Sequence, residues 1–217
     1  MLKMLTLSLS TIFLFSACSF KMPSFEMPSF LTFGEDKIEI SLTQANICQE
    51  IKNEDEKLSC YIKIEEKNSF AQIRLGTYYA DKKDYTKALK YLNKAKENDN
   101  IYANLPLAFL YYKAEGVQKN IDKSFELLKD ASSKDPTAAY QLSRFYLQGI
   151  NTKIDNEEGV ELLEFAASKG VSTAQEMLIN VYKNGLFEQA RDQKKVEYWQ
   201  KKLKENIEDT NHKIYRL

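Results

Sequence analysis

Side chains suited to covalent or metal chemistry are few in this chain of 217 residues: Cys18, Cys48, Cys60 and a lone histidine, His212. A Ser-His-Asp or Cys-His relay needs a histidine brought to its nucleophile. His212 lies near the C-terminus and reads as an exposed bystander. No Ser-x-x-Lys occurs, so the serine nucleophile of penicillin-recognising enzymes has no counterpart. Zinc would lack its His and Cys cluster, and no Gly-x4-Gly-Lys phosphate loop is present. The pairs Glu65-Glu66 and Glu157-Glu158 are neighbours along the chain and read as solvated charge. These residues imply no enzyme, no metal, no cofactor and no small-molecule substrate. Basic and acidic residues balance at 31 each, which does not favour nucleic acid.

Cys18 belongs to a different chemistry. Met1-Leu2-Lys3 is a short positive start, and Met4 to Phe15 is uncharged and mostly apolar. Small residues Ser16-Ala17 follow, the layout of a secretory signal. The run is too short for a spanning helix, which needs about 20 apolar residues. Leu14-Phe15-Ser16-Ala17-Cys18 resembles the lipobox of bacterial lipoproteins, with Phe15 in place of the usual Leu. The resemblance implies cleavage before Cys18, lipidation of its thiol and amine with fatty acyl chains such as palmitate, and a durable membrane anchor. Ser19 at the next position implies, by analogy with enteric lipoproteins, the outer membrane with the chain facing the periplasm. The expected layout is a signal over residues 1–17 and a lipidated, extended tether over 18–41. That tether holds Met-Pro-Ser-Phe twice, as a plain spacer or as an aromatic foot on the membrane.

The elements that follow are helical repeats. Ala71-x3-Leu75-Gly76-x2-Tyr79 recurs as Ala103-x3-Leu107-Ala108-x2-Tyr111 and Ala138-x3-Leu142-Ser143-x2-Tyr146. A fourth copy is Ala174-x3-Leu178-x3-Tyr182. Each is followed by a second pattern, such as Ala88-x2-Tyr91-Leu92-x2-Ala95 and Gly159-x2-Leu162-Leu163-x2-Ala166. A hairpin of two such helices cannot bury its apolar face alone, so neighbours stack. Small residues at Gly76, Ala88, Ala108, Ser124, Ser143 and Gly159 mark close helix crossings. Tyr79, Tyr111, Tyr146 and Tyr182 then belong to the core or its edge. Pro106 implies a late helix start near Asn104 or a kink.

Leu107-Ala108-x2-Tyr111-x2-Ala114-x-Gly116-Val117 and Leu142-x3-Tyr146-x2-Gly149 resemble Sel-1-like repeats, relatives of the tetratricopeptide repeat. The resemblance implies an all-α fold, a short right-handed solenoid of antiparallel helix pairs. About four repeats over residues 69–205 would follow an N-terminal helical hairpin at 42–68, with a C-terminal tail at 206–217. The family's first helices line a concave surface that receives a partner segment. Carried over by alignment, the facing positions are Phe70, Ile73, Thr77, Tyr102, Leu105 and Leu147. With them come Glu176, Lys183 and the partner-binding set Phe109, Tyr112, Lys113, Tyr140, Arg144, Gln148 and Asn180. The implied function is a membrane-anchored periplasmic scaffold for another envelope protein. The alternatives are a peptidoglycan or peptide binder, or a β-lactamase-like cell-wall hydrolase for which the residues give no mechanism.

With Cys18 lipidated, Cys48 and Cys60 remain, an even pair in an oxidising compartment. Each lies six residues from Glu54, the centre of the expected hairpin turn. They therefore sit level on antiparallel helices, either as a disulfide or as two free buried thiols.

Overall fold

The structure, a computed structural model, describes residues 34–205 and 212–215. Cys18, the signal segment, the Met-Pro-Ser-Phe doublet and the His212 side chain lie outside the described part. Among the described residues every regular element is a helix. The N-terminal pair is α1 (Gly34–Gln49) and α2 (Glu54–Ile64). Four further pairs follow: α3 (Ser69–Asp81) with α4 (Tyr85–Glu97), and α5 (Asn104–Lys113) with α6 (Ile121–Ser132). Then come α7 (Pro136–Gln148) with α8 (Asn156–Ser168), and α9 (Ser172–Asn184) with α10 (Gln193–Glu205). A last short helix, α11, spans His212–Tyr215. None of these helices is long and apolar enough to cross a membrane.

Local sequence explains the boundaries. A helix leaves its first backbone N–H groups without internal partners, and short polar side chains supply acceptors. Asn53, Asn68, Asp84, Asn120, Asp135 and Asp155 each do so at the start of a helix. The left-handed residue that ends α7 is Gly149 and the one that ends α9 is Gly185, where a missing Cβ removes the steric penalty. Pro106 sits in the first turn of α5, after a 3-10 turn at Ile101–Ala103. It removes an N–H that had no helical partner, so the chain starts late and the helix runs on.

Helices pack mainly within pairs, and adjacent pairs stack in chain order. Two crossings are set by glycine. A Cβ on Gly76 would come within 2.5 Å of Leu92, and one on Gly159 within 2.6 Å of Leu147. The alanines and serines of the other crossings, Ala88, Ala108, Ser124 and Ser143, are buried as well. The repeat tyrosines line the core: Tyr182 is buried, while Tyr79, Tyr111 and Tyr146 pack half-buried against it. In α10, Val196 and Trp199 face inward, and Lys195 and Lys202 are exposed.

The N-terminal pair is bolted to the first repeat by polar side chains. Arg74 of α3 is fully buried and donates to the Tyr61 hydroxyl on α2 at 3.0 Å and to the Asn46 amide oxygen on α1. Tyr61 in turn donates to Gln49 at 2.8 Å. A Cys48–Cys60 disulfide joins α1 to α2, with Cα atoms 5.6 Å apart. The connection runs over residues 50–53, upstream of the turn expected at Glu54. Asn53 ends that connection as the cap of α2. A second correction concerns the tether. α1 begins at Gly34, so residues 34–41 are helical although they carry no clear amphipathic period.

Candidate protein-binding site

The first helices α5 and α7 lie side by side with α6 behind them, and a pocket opens between the three. Its volume is about 150 Å³. Ala108, Leu128, Phe145 and Ile150 form the apolar floor, with Ser124 among them. Phe109, Tyr112 and Lys113 stand on the α5 wall, Gln141 and Arg144 on the α7 wall. The small residues Ala108 of α5 and Ser124 of α6 are both buried.

The rim is aromatic and cationic. Tyr112 is 38% exposed, and its ring lies 5.7 Å from that of Phe145. The Lys113 ammonium sits 5.8 Å from the Phe109 ring and that of Lys119 6.0 Å from the Tyr112 ring. Arg144 donates to Gln141 at 3.1 Å. Neither Lys113 nor Arg144 forms an ion pair with another described residue. A greasy floor under an uncompensated cationic rim suits an apolar side chain flanked by a carboxylate or backbone carbonyl.

Of the residues assigned to the concave face from sequence, Phe109, Tyr112, Lys113 and Arg144 come together here. Tyr140 lies one turn before Arg144 and packs half-buried against the next repeat's core. Gln148 is exposed at the end of α7, and Asn180 is exposed on α9, where it accepts from the Asn184 amide at 2.6 Å; neither lines the pocket. Glu176 and Lys183 are likewise exposed on α9 and outside it. Phe70, Ile73, Leu105 and Leu147 are buried, contrary to the assignment. Neighbouring helices cover these positions: Phe70 packs on Tyr102 with ring centres 5.8 Å apart, and Leu147 fills the space above Gly159.

Thr77 and Tyr102 have an occupant that the sequence did not reveal. The tail helix α11 docks on α3, and Ile214 and Tyr215 pack against the core of the first repeats. The Thr77 hydroxyl donates to the Tyr215 carbonyl, and the Tyr215 hydroxyl donates to Asp135. Asp135 is only 1% exposed, and burial raises its carboxyl pKa against the lowering effect of the Tyr215 and α7 backbone donors. Burial beside this carboxylate pushes the Tyr215 phenol well above its ordinary value, so it stays a donor. The apolar pair Ile214-Tyr215 inside a polar tail was the one signal available for this contact.

No group of three or more His, Cys, Asp or Glu among the described residues is placed to hold a metal. The pocket's side chains can bind and orient; they include no paired nucleophile and base.

A family description, "Sel1 repeat", matches residues 69–100, 102–135 and 136–171. The alginate biosynthesis protein AlgK of Pseudomonas syringae pv. tomato is 30% identical over 102 residues, 47% of this chain and 22% of that protein. HRD3B of Arabidopsis thaliana, an ERAD-associated E3 ubiquitin-protein ligase component, is 34% identical over 98 residues, 42% of this chain and 15% of that protein. The matched stretch therefore spans about a fifth or less of these relatives. Among solved structures, a Sel1 repeat protein from Oxalobacter formigenes superposes with a TM-score of 0.65 at 26% identity. That match covers 86% of this chain and 78% of the other. The uropathogenic Escherichia coli antigen c5321 shares the fold, with a TM-score of 0.60 at 19% identity over 80% of this chain and 39% of its own. The repeating helix pairs, their small-residue crossings and these matches agree: residues 69–171 match the Sel1 repeat, and the chain shares the fold of Sel1-repeat structures.

Proposed function

We propose that the protein is a protein-interaction scaffold that holds a partner segment on its first-helix face, centred on the α5–α7 pocket. Sel1-repeat proteins are generally scaffolds of this kind. The observation that carries the proposal is the coincidence of an apolar floor with the exposed aromatic Tyr112 and the cations Lys113 and Arg144, which form no ion pair among the described residues. Such residues dominate the energetics of interfaces. Two sequence relatives are named as parts of larger processes, alginate biosynthesis and a ubiquitin ligase, which supports a role in assembly rather than in catalysis.

The setting we propose is the bacterial envelope, with Cys18 as the lipid-bearing residue and the repeats facing the periplasm. The Cys48–Cys60 bridge supports this, because disulfides persist in oxidising compartments. The test compares proteins co-purified with the unsubstituted chain and with Tyr112→Ala plus Arg144→Glu. The proposal expects the double variant to fold and to lose its envelope partner; retention of the same partner in the same amount would refute the assigned face.

A further inference from the structure

The α7 cap is unlike its counterparts in the other repeats. A helix N-cap uses one side-chain oxygen, and here Asp135 Oδ1 accepts from the Thr137 N–H at 2.9 Å. The other oxygen, Oδ2, belongs to a buried carboxylate and needs a donor of its own. At the matching place in the first repeat stands Asn68, whose amide is bonded to Ser41 and Gln44 of α1. In the fourth repeat Val171 stands there, with no side-chain cap. Only the α7 position presents a buried acid, and the donor it takes is the phenol of Tyr215, 80 residues away in sequence. On the opposite side Thr77 binds the backbone carbonyl of the same tyrosine. Two groups from two repeats thus grip one tyrosine by its main chain and its hydroxyl. The side chain of Ile214 meanwhile rests on the core around α3.

We propose that Thr77, Tyr102 and Asp135 form a recognition site for an aliphatic residue followed by tyrosine, filled in this chain by its own Ile214-Tyr215. A partner segment carrying that pair competes with the tail for the site. The inference rests on the reading of the first-helix face as a segment-binding surface and extends it from α5–α7 toward α3. A tethered occupant is present at an effective concentration on the order of millimolar. An incoming segment of about 0.1 mM intrinsic Kd therefore meets a roughly tenfold handicap until the tail leaves. The chemistry selects tyrosine over phenylalanine. A phenylalanine would bury the Asp135 oxygen without a donor, which a buried acceptor does not tolerate without loss.

The test uses the full chain and a fluorescent peptide with the sequence of residues 210–217, Thr-Asn-His-Lys-Ile-Tyr-Arg-Leu. Tyr215→Ala empties the site, and fluorescence anisotropy then measures peptide binding. The expected result is binding to the Tyr215→Ala chain and roughly tenfold weaker binding to the unsubstituted chain. Replacing the peptide tyrosine by phenylalanine, or adding Thr77→Val to the emptied chain, weakens binding about tenfold or more. Equal binding to both chains, binding to neither, or indifference to the phenylalanine peptide overturns the proposal. A dimer that falls to monomer on Tyr215→Ala would seat the tail in a second copy and also overturns it. Tyr112→Ala with Arg144→Glu leaves peptide binding intact, so failure of the α5–α7 proposal is read separately.

Discussion

Reducing the Cys48–Cys60 bridge should loosen the N-terminal pair and lower the stability of the whole array. The bridge closes a loop with a sequence separation of 12. Chain-entropy arguments give about 3 kcal/mol for a loop of that size. Much of this falls on the first unit, because α1 and α2 touch the rest of the chain mainly through α3. In a stacked array the end unit shields its neighbour. Arg74 depends on Asn46 and Tyr61 from that pair, so fraying α1–α2 exposes a buried cation on α3 and carries the damage inward. For a domain of this size 1 kcal/mol moves Tm by about 2–4 °C, so reduction should lower Tm by about 6–12 °C. The assay is a thermal melt followed by circular dichroism with and without reductant. Hydrogen exchange of α1 and α2 is measured in parallel. A chain with Cys48→Ala and Cys60→Ala serves as the control, and its Tm should not respond to reductant. If the unsubstituted chain melts within about 1 °C with and without reductant while the bridge is shown to be broken, the stapling argument is wrong.

Other perturbations separate the remaining claims. Gly76→Ala drives a methyl group into the fully buried Leu92 and should cost about 1–3 kcal/mol by chemical denaturation. Asp135 has a raised pKa in the folded chain, so the folded state binds more protons than the unfolded one between the ordinary carboxylate value of about 3.9 and the raised value. Its contribution to stability therefore falls as pH rises through that window, and Asp135→Asn should remove this slope from the pH dependence of unfolding. Cys18→Ser should abolish incorporation of labelled fatty acid and release the protein from the membrane fraction; continued membrane association without label refutes the anchor.

The repeat itself was legible because its signal is local. Leu75, Leu107, Leu142 and Leu178 each sit four residues after an alanine, and the spacing reports the face that meets the paired helix. The same spacing could not tell a groove position from a packed one. A first helix in the array is covered by its partner and by the helices of adjacent pairs, so only a narrow stripe stays open. Phe109 and Arg144 fall on that stripe, whereas Phe70 and Leu105 fall just off it and are buried. The α1 start at Gly34 escaped notice because that helix carries no clear amphipathic period. Tyr215 escaped for a different reason. Its partners Thr77 and Asp135 lie 138 and 80 residues away, and no period within the chain encodes such contacts.

The central claim is that the stripe around Tyr112 holds a protein segment. A photo-activated crosslinking residue placed at position 112 in living cells tests it directly. The same residue at Tyr198, which is 52% exposed on α10 and outside the α5–α7 pocket, is the comparison. The account predicts a discrete protein adduct from position 112, none from position 198, and loss of the adduct on Arg144→Glu. Equal adducts from both positions, or an adduct at 112 indifferent to Arg144→Glu, would contradict it.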